Sequence, residues 1–220
     1  SSNPDAGAEG AATEIARLSA VVPALQAAGI PLSVDSFEPE VQLWALAQGV
    51  AWLNDIQGFP DAALYPRLAD SAAGLIVMHS VQGRGKASRI DVKPDAIMAR
   101  MFDFFDVRLA ALEAAGVVRS RLVLDPGMGF FLGTNPETSL EALKRTGELK
   151  ARYGLPVLVS VSRKSFIRAI AERSAQEAGA ATLAAELFAA AAGADMIRTH
   201  DPRALSDALK VTAALNGRAQ

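Results

Sequence analysis

Short apolar segments rich in β-branched residues alternate with segments of helical spacing along the whole chain. The apolar segments predict six strands: Leu32–Ser36, Ala51–Ile56, Leu75–Ser80, Arg121–Asp125, Val157–Ser162 and Met196–His200. Strict alternation of strand and helix is typical of a parallel sheet covered by helices, either doubly wound or closed into a (β/α) barrel. Because no linker or composition shift interrupts the pattern, we predict a single domain over residues 1–220.

The intervening segments carry apolar residues at the spacing of an amphipathic helix. The predicted helices are Glu9–Ala28, Glu38–Gln48, Ala62–Ala69, Pro94–Ala115, Glu137–Arg152, Phe166–Ala171, Ala181–Ala192 and Leu205–Leu215. The Ala-rich segment Ala180–Ala192 offers a flat face, which suits either the barrel wall or a subunit interface. We favour an interface formed with Leu205–Leu215, and hence a homodimer.

Each predicted strand ends in polar or charged residues, which favours the barrel. An open sheet gathers its functional groups at one switch point, whereas a barrel uses the ends of many strands. A barrel of this kind has eight strands in about 250 residues. The six strands found in 220 residues leave two βα units unaccounted for.

Composition excludes several classes of protein. The net charge of −2 excludes the strong basic field of a nucleic-acid binder, and no apolar run approaches the length of a membrane span. The chain has no cysteine, which excludes thiolate chemistry and suits a reducing cytoplasm. We therefore expect a cytoplasmic protein that acts on small molecules, without nucleic-acid or membrane partners.

Two strand ends carry cations suited to anions. The segment Ser162-Arg163-Lys164-Ser165 follows a buried strand, and Ser165 is predicted to cap the helix behind it. A solvated turn with two surface cations is the alternative. At the last strand, Arg198 and His200 share one side by the period of two and are placed to hold a phosphate.

Asp35, Asn54 and Asp125 end three different strands. Carboxylates accept paired N–H donors and an amide both donates and accepts, so this set suits the amide-guanidine edge of a heterocycle. Each residue alone is equally suited to capping a helix or satisfying a loop amide. His79 is interpreted as a hydrogen-bonded core residue, and the absence of HExxH argues against a metal held by histidine.

The loop Asp125–Gly133 contains glycines that permit close backbone approach, but it lacks the GxGxxG and Walker A patterns of nucleotide sites. From their position in this loop beside polar residues, Phe130 and Phe131 are expected to be exposed rings. Apolar rings at a polar rim are typical of a pocket wall.

Six motifs together resemble the dihydropteroate synthase family, in order and spacing, over the whole chain. They are Ser33-Val34-Asp35-Ser36, Leu53-Asn54-Asp55-Ile56, Val77-Met78-His79-Ser80, Leu122–Phe130, Val161-Ser162-Arg163-Lys164-Ser165 and Arg198-Thr199-His200-Asp201. The resemblance implies a TIM (β/α)8 barrel with only strands 3–8 present in this chain. It also implies condensation of 6-hydroxymethyl-7,8-dihydropterin pyrophosphate with p-aminobenzoate, giving 7,8-dihydropteroate and pyrophosphate in folate biosynthesis.

The resemblance also assigns roles to residues. It places Asp35, Asp125 and Lys164 as catalytic residues. The pterin contacts that it implies are Asp35, Asn54, Ile56, Met78, Asp125 and Lys164. The p-aminobenzoate contacts that it implies are Ser2, Pro4, Phe130, Phe131, Ser162 and Ser165. Arg198 and His200 correspond to the pyrophosphate side.

Two departures from the family pattern shape the expectations. The family's first strand carries the Asn that holds Mg²⁺, and it would precede Ser1, so we expect an N-terminally truncated chain with Mg²⁺ as the cofactor but no metal ligand of its own. Phe131-Leu132 replaces Gly-Lys, as in the mobile, sulfonamide-insensitive branch, and a bulkier wall beside p-aminobenzoate is expected to exclude the drug. The alternatives are an inactive fragment, or another pterin-binding barrel such as a methyltetrahydrofolate methyltransferase, which has no need of the Ser-Arg-Lys-Ser loop.

Overall fold

The computed structural model describes residues 10–82 and 90–217, and this part of the chain is an α/β structure with parallel strands. The strands are β1 (Ser33–Asp35), β2 (Trp52–Asp55), β3 (Gly74–Met78), β4 (Leu122–Asp125), β5 (Leu158–Val159) and β6 (Met196–Ile197). The helices are α1 (Ala11–Ala27), α2 (Pro39–Ala47), α3 (Tyr65–Asp70), α4 (Ile97–Ala114), α5 (Pro136–Lys144), α6 (Thr146–Tyr153), α7 (Ser165–Ala171), α8 (Gly179–Ala191) and α9 (Pro202–Leu215). Short 3-10 turns cover Ala62–Leu64, Pro94–Ala96, Arg119–Arg121 and Gly129–Leu132.

All six predicted strands are present in the predicted order, and each is shorter than predicted. The largest differences are at β5, which ends at Val159, and β6, which ends at Ile197, so Ser160–Ser162 and Arg198–His200 follow the strands. The predicted helix Glu137–Arg152 is wrong as one element, because it divides into α5 and α6 at Arg145. There the Thr146 hydroxyl donates to the carbonyl of Leu143 at 3.0 Å, a local bond that competes with helix continuation.

The chain packs into two compact units. Their described parts are residues 10–82 with 99–125, and residues 90–98 with 126–217. The expectation of one domain over residues 1–220 stays a prediction. Among the helices of the described ranges, none is long and apolar enough to cross a membrane.

The sheet of the first unit has the order β1-β2-β3-β4, all parallel. Every residue of β3 is buried, as expected for a parallel strand covered on both faces. Gly74 pairs with Trp52, and a Cβ atom at Gly74 would lie 2.2 Å from the Trp52 ring, so the indole packs directly on the backbone. Because the order follows the sequence without reversal, this sheet has no switch point of the doubly wound kind.

Arg121 joins α3 to the starts of β3 and β4. Its guanidinium donates to the carbonyl oxygen of Leu68 at 2.8 Å. The carbonyl oxygen of Ala73 accepts two bonds, from Nε at 2.8 Å and from Nη2 at 2.6 Å. It also donates to the Ser71 hydroxyl at 2.8 Å. These bonds satisfy carbonyls that the end of α3 leaves without helical partners. In the second unit, β5 and β6 form a parallel pair.

Two buried polar residues, Asp55 and His79, lie on one face of the first sheet. The Asp55 carboxylate accepts from the backbone N–H of Gln57 at 2.7 Å and from the Gln42 amide at 2.9 Å. His79 is buried with its ring at 74° to the ring of Phe104, 5.4 Å between centroids. The interpretation of His79 as a core residue is confirmed in its burial and packing.

Asp55 makes the stability of the protein depend on pH. Burial raises the pKa of its carboxyl, although the bonds from Gln57, Gln42 and Phe59 and the charge of Arg108 oppose this. A raised pKa in the folded state means that the ionised group destabilises the fold above that pKa. This destabilisation disappears as the pH falls through the raised pKa toward the ordinary pKa of aspartate.

We therefore expect the free energy of unfolding of the wild type to rise relative to that of Asp55→Asn as the pH falls through this window. The variant has no titrating group at position 55, so it serves as the reference. Urea unfolding at a series of pH values from neutral to acid measures the difference. A difference that is constant, or that shrinks toward acid, would contradict the assignment.

Candidate active site

The register of the first sheet collects the predicted pterin contacts of this unit on one face. Asp35 lies opposite Asn54, and Met78 lies opposite Asp125. Paired residues of neighbouring parallel strands share a face, and so do residues two apart on one strand. Asn54 pairs with Ile76, which stands two residues before Met78. Asp35, Asn54, Met78 and Asp125 therefore share a face, and Ile56 follows Asn54 by two residues.

Asn54 carries the strongest sign of a ligand on this face. It is 1% exposed, and neither its Oδ1 nor its Nδ2 atom has a hydrogen-bond partner among residues 10–82 and 90–217. Buried amides are almost always hydrogen-bonded, and leaving one unpaired destabilises a fold. An arrangement of this kind is stable when a ligand supplies the missing donor and acceptor.

The carboxylates of this face differ in exposure. Asp125 is 1% exposed, whereas Asp35 at the end of the first strand of the sheet is open to solvent. Met78 is buried and Ile56 is half-buried. The face thus combines two acids, one amide and two apolar side chains within the ends of four adjacent strands.

In the second unit, two serines form hydrogen bonds with Arg198 and His200, which follow the last strand. The Ser160 hydroxyl accepts from Arg198 Nε at 3.3 Å. The Ser162 hydroxyl accepts from the backbone N–H of His200 at 3.3 Å and lies 2.8 Å from its ring atom Nδ1. Arg198 and His200 therefore both contact the segment that follows β5, although both lie beyond the end of β6 at Ile197, and their shared side stays a prediction. Sequence reasoning had assigned Ser162 to p-aminobenzoate, and that role stays a prediction.

The turn Ser162–Ser165 departs from the predicted geometry. Ser165 was predicted to be the N-cap of the helix, and this is wrong: α7 begins at Ser165, and Lys164 takes the N-cap position without a side-chain cap. Arg163 has a φ of 58°, a left-handed conformation that bulky residues rarely adopt. The chain therefore turns one residue earlier than a capping serine would require.

Phe131 is a buried ring, not the exposed one that its loop position indicated. It is 6% exposed, and the Lys164 Nζ lies 4.9 Å from its ring centroid, within the range of a cation-π contact. Phe130 is half-buried. Gly129 has a φ of 67°, and a Cβ there would lie 3.0 Å from the Ser165 hydroxyl oxygen. The glycine loop and the cationic turn are thus in close contact.

Two residues of the second unit that sequence reasoning missed form hydrogen bonds with these turns, namely Ser160 and Thr182, and Glu186 is buried one helical turn after Thr182. The Thr182 hydroxyl accepts from the backbone N–H of Arg163 at 3.1 Å. Burial raises the pKa of Glu186, Thr199 opposes this with a hydrogen bond, and the charge of Asp201 raises it further. The available signal was the presence of polar residues in an otherwise apolar, Ala-rich segment.

A cavity of about 520 Å³ lies elsewhere on the first unit, lined by Gln57, Pro60, Asp61, Ser80, Gln82 and Phe104. None of the predicted site residues lines it. Ser2 and Pro4, predicted to contact p-aminobenzoate, lie outside the described residues. Within residues 10–82 and 90–217, no group of three or more His, Asp or Glu side chains is placed to hold a metal ion.

Comparison with known proteins identifies the class. Residues 1–200 match the family of pterin binding enzymes. The chain is 61% identical over 215 residues to the dihydropteroate synthase type-2 of Escherichia coli, covering 98% of this chain and 79% of that protein.

Two solved structures share the fold. The dihydropteroate synthase of Xanthomonas albilineans in complex with 7,8-dihydropteroate superposes with a TM-score of 0.85 at 32% identity, covering 96% of this chain and 78% of the other. The same synthase with 4-aminobenzoic acid gives a TM-score of 0.87 at 34% identity, covering 98% and 76%. The chain therefore belongs to the dihydropteroate synthase family.

The Ser162–His200 pair predicts the tautomer of the imidazole. The Ser162 hydroxyl oxygen accepts from the backbone N–H of His200, so the hydroxyl hydrogen is available to be donated. Among the described residues, the acceptor that it reaches is His200 Nδ1. Neutral His200 should then carry its proton on Nε2, which is left to donate to an anion.

We expect Ser162→Ala to add the Nδ1–H form of His200, measured by ¹⁵N NMR of the imidazole rings. The chain has two histidines, and His79 packs against Phe104, so its signals serve as the internal control. Identical His200 signals in wild type and variant would contradict the proposed bond direction.

Proposed function

We propose that this chain condenses 6-hydroxymethyl-7,8-dihydropterin pyrophosphate with p-aminobenzoate, releasing pyrophosphate. The carrying observation is the buried amide of Asn54, without a partner among the described residues, on the same face as Asp35 and Asp125. A pterin edge presents adjacent N–H donors and a carbonyl acceptor. Such an edge supplies what the amide lacks and pairs its N–H groups with the carboxylates.

The proposed pterin contacts divide by chemistry. Asn54 donates to and accepts from the ring edge, Asp35 and Asp125 accept from ring N–H groups, and Lys164 donates to ring acceptors. Met78 and Ile56 cover the flat faces of the ring. As anions, Asp35 and Asp125 also favour a cation developing on the pterin as the leaving group departs.

The proposed transfer needs no covalent enzyme intermediate. The C–O bond between the pterin methylene and pyrophosphate breaks, and its electron pair leaves with the pyrophosphate. The amine of p-aminobenzoate forms the new C–N bond and gives up one proton. Arg198 and the Nε2–H of His200 stabilise the charge on the departing phosphates.

For p-aminobenzoate, the proposed contacts are Ser162, Ser165 and Phe130, with Phe131 behind Lys164. The contact between Gly129 and Ser165 supports this assignment, because it joins the aromatic loop to the hydroxyl-bearing turn. Ser2 and Pro4 keep the same proposed role by resemblance. Mg²⁺ is proposed as a companion of the pyrophosphate, but the described side chains provide no cluster that fits it, and no step is derived through it.

We further propose that the six strands are strands 3–8 of an eight-stranded barrel. The sequential, all-parallel order β1-β2-β3-β4 and the polar carboxyl ends of the strands support this. A cytoplasmic homodimer is proposed on the absence of cysteine and on exposed apolar residues such as Phe188 of α8 and Val211 of α9. Analytical ultracentrifugation measures the oligomeric state.

Calorimetry separates this function from its alternatives. A synthase binds the pterin pyrophosphate with Mg²⁺ and then consumes added p-aminobenzoate with release of pyrophosphate. A methyltetrahydrofolate methyltransferase would bind the reduced folate and release no pyrophosphate. A protein that binds the pterin but forms no dihydropteroate would support the inactive alternative.

We expect Asn54→Leu to weaken binding of the pterin pyrophosphate by about ten- to a hundredfold, because the pterin edge loses its amide partner. Calorimetric titration measures the loss. The same variant should keep or raise the thermal midpoint, since leucine replaces a buried amide that makes no hydrogen bond within the described chain.

Asn216→Leu is the matched control, because Asn216 is exposed at the end of α9. It should leave binding unchanged. Unchanged binding in Asn54→Leu, or loss of binding only in proportion to lost folded protein, would contradict the proposed role of Asn54.

We propose sulfonamide insensitivity through Phe131, and Phe131→Gly should lower the inhibitory concentration of a sulfonamide by about tenfold or more. Because Phe131 is 6% exposed, the variant leaves a cavity and its thermal midpoint must be followed. Phe131→Leu, which keeps an apolar side chain, tests the same wall at lower risk to folding. Unchanged inhibition in both variants, with p-aminobenzoate turnover retained, would count against this wall.

A further inference from the structure

Helix α8 carries two polar side chains, Thr182 and Glu186, in a segment otherwise made of Gly, Ala, Leu and Phe. They stand four residues apart and therefore lie on one face of the helix. Both are buried, with Thr182 at 6% and Glu186 at 2% exposure. Buried polar side chains in an apolar helix destabilise the fold unless they are hydrogen-bonded, so the hydrogen bond that Thr182 forms indicates its role.

Thr182 holds the turn that carries Lys164. Its hydroxyl oxygen accepts from the backbone N–H of Arg163, the residue in the left-handed conformation with a φ of 58°. A non-glycine residue persists in this conformation only where its surroundings hold it there. The bond fixes the peptide between Ser162 and Arg163, and thereby the directions of the side chains on either side of it.

We propose that Thr182 is a positioning residue of the transfer reaction, an inference that rests on the proposed function. Thr182 keeps Lys164 and Ser165 directed at the substrates, and it does not itself contact substrate in this assignment. The Ser162 hydroxyl, 2.8 Å from His200 Nδ1, ties the same turn to the segment that follows β6.

The test for Thr182 uses Thr182→Val, which keeps the shape and removes the hydroxyl, and Thr182→Ser, which restores it. We expect Thr182→Val to raise the KM for p-aminobenzoate by about tenfold, and Thr182→Ser to stay within about twofold of wild type. Loss of folded protein lowers the apparent kcat without moving KM. The matched control is Thr212→Val on α9, where the exposed Thr212 hydroxyl bonds the Ala208 carbonyl of its own helix at 2.8 Å.

Amide hydrogen exchange decides the Thr182 contact independently of activity. The backbone amide of Arg163 should exchange faster in Thr182→Val than in wild type, while the amides of α7 exchange at unchanged rates. Equal exchange of the Arg163 amide in the two proteins would overturn the inference. If the wild type forms no dihydropteroate, the proposed function fails while the exchange result still decides this bond. If the wild type is active and KM stays constant in Thr182→Val, the inference fails and the proposed function stands.

Discussion

The register of four parallel strands is the constraint on which the pterin-type face depends. Pairing Asp35 with Asn54 and Met78 with Asp125 leaves each strand no freedom to slip, because a shift by one residue would turn its side chains to the other face. Continuous burial of β3 on both faces makes such a slip costly. Core packing therefore determines where the polar side chains of this face lie, because the apolar residues that stabilise the sheet also fix the register of its strands.

In the second unit, the cationic side chains of Arg163, Lys164 and Arg198 follow two neighbouring strands. Arg198 and the Ser162–Ser165 turn lie on adjacent strand ends, and like charges so placed repel. Hydroxyl groups offset this, since they accept from cationic or backbone N–H donors without adding charge of their own. Ser160, Ser162 and Thr182 all act in this way, as does Ser139, whose hydroxyl accepts from the backbone N–H of Gly129 at 3.0 Å.

Sequence alone was sufficient for the type and order of the strands, because their apolar content and polar ends are local signals. It also placed Arg198 and His200 on one side from periodicity, and that stays a prediction because both residues lie beyond the end of β6. It failed at Ser165, since the left-handed conformation of Arg163 moves the start of the helix and no residue type announces it. It also misjudged Phe131, which is buried and lies against Lys164, a residue more than thirty positions away along the chain. Thr182 and Glu186 stand out in the sequence as polar residues in an Ala-rich helix, but the residues that they contact are determined by tertiary structure.

The buried polar residues of the first sheet divide according to the face they occupy. Asp55 and His79 stand an odd number of positions from the pterin-type set. Asp55 accepts hydrogen bonds from a side-chain amide and a backbone N–H group, and His79 packs against the ring of Phe104. Asn54 precedes Asp55 directly, yet its amide has no partner in the described chain. Two adjacent residues of one strand thus differ, since Asp55 is hydrogen-bonded within the described chain and the amide of Asn54 is not. Because stability alone would favour satisfying both, the exception at Asn54 points to a group that arrives from outside the chain.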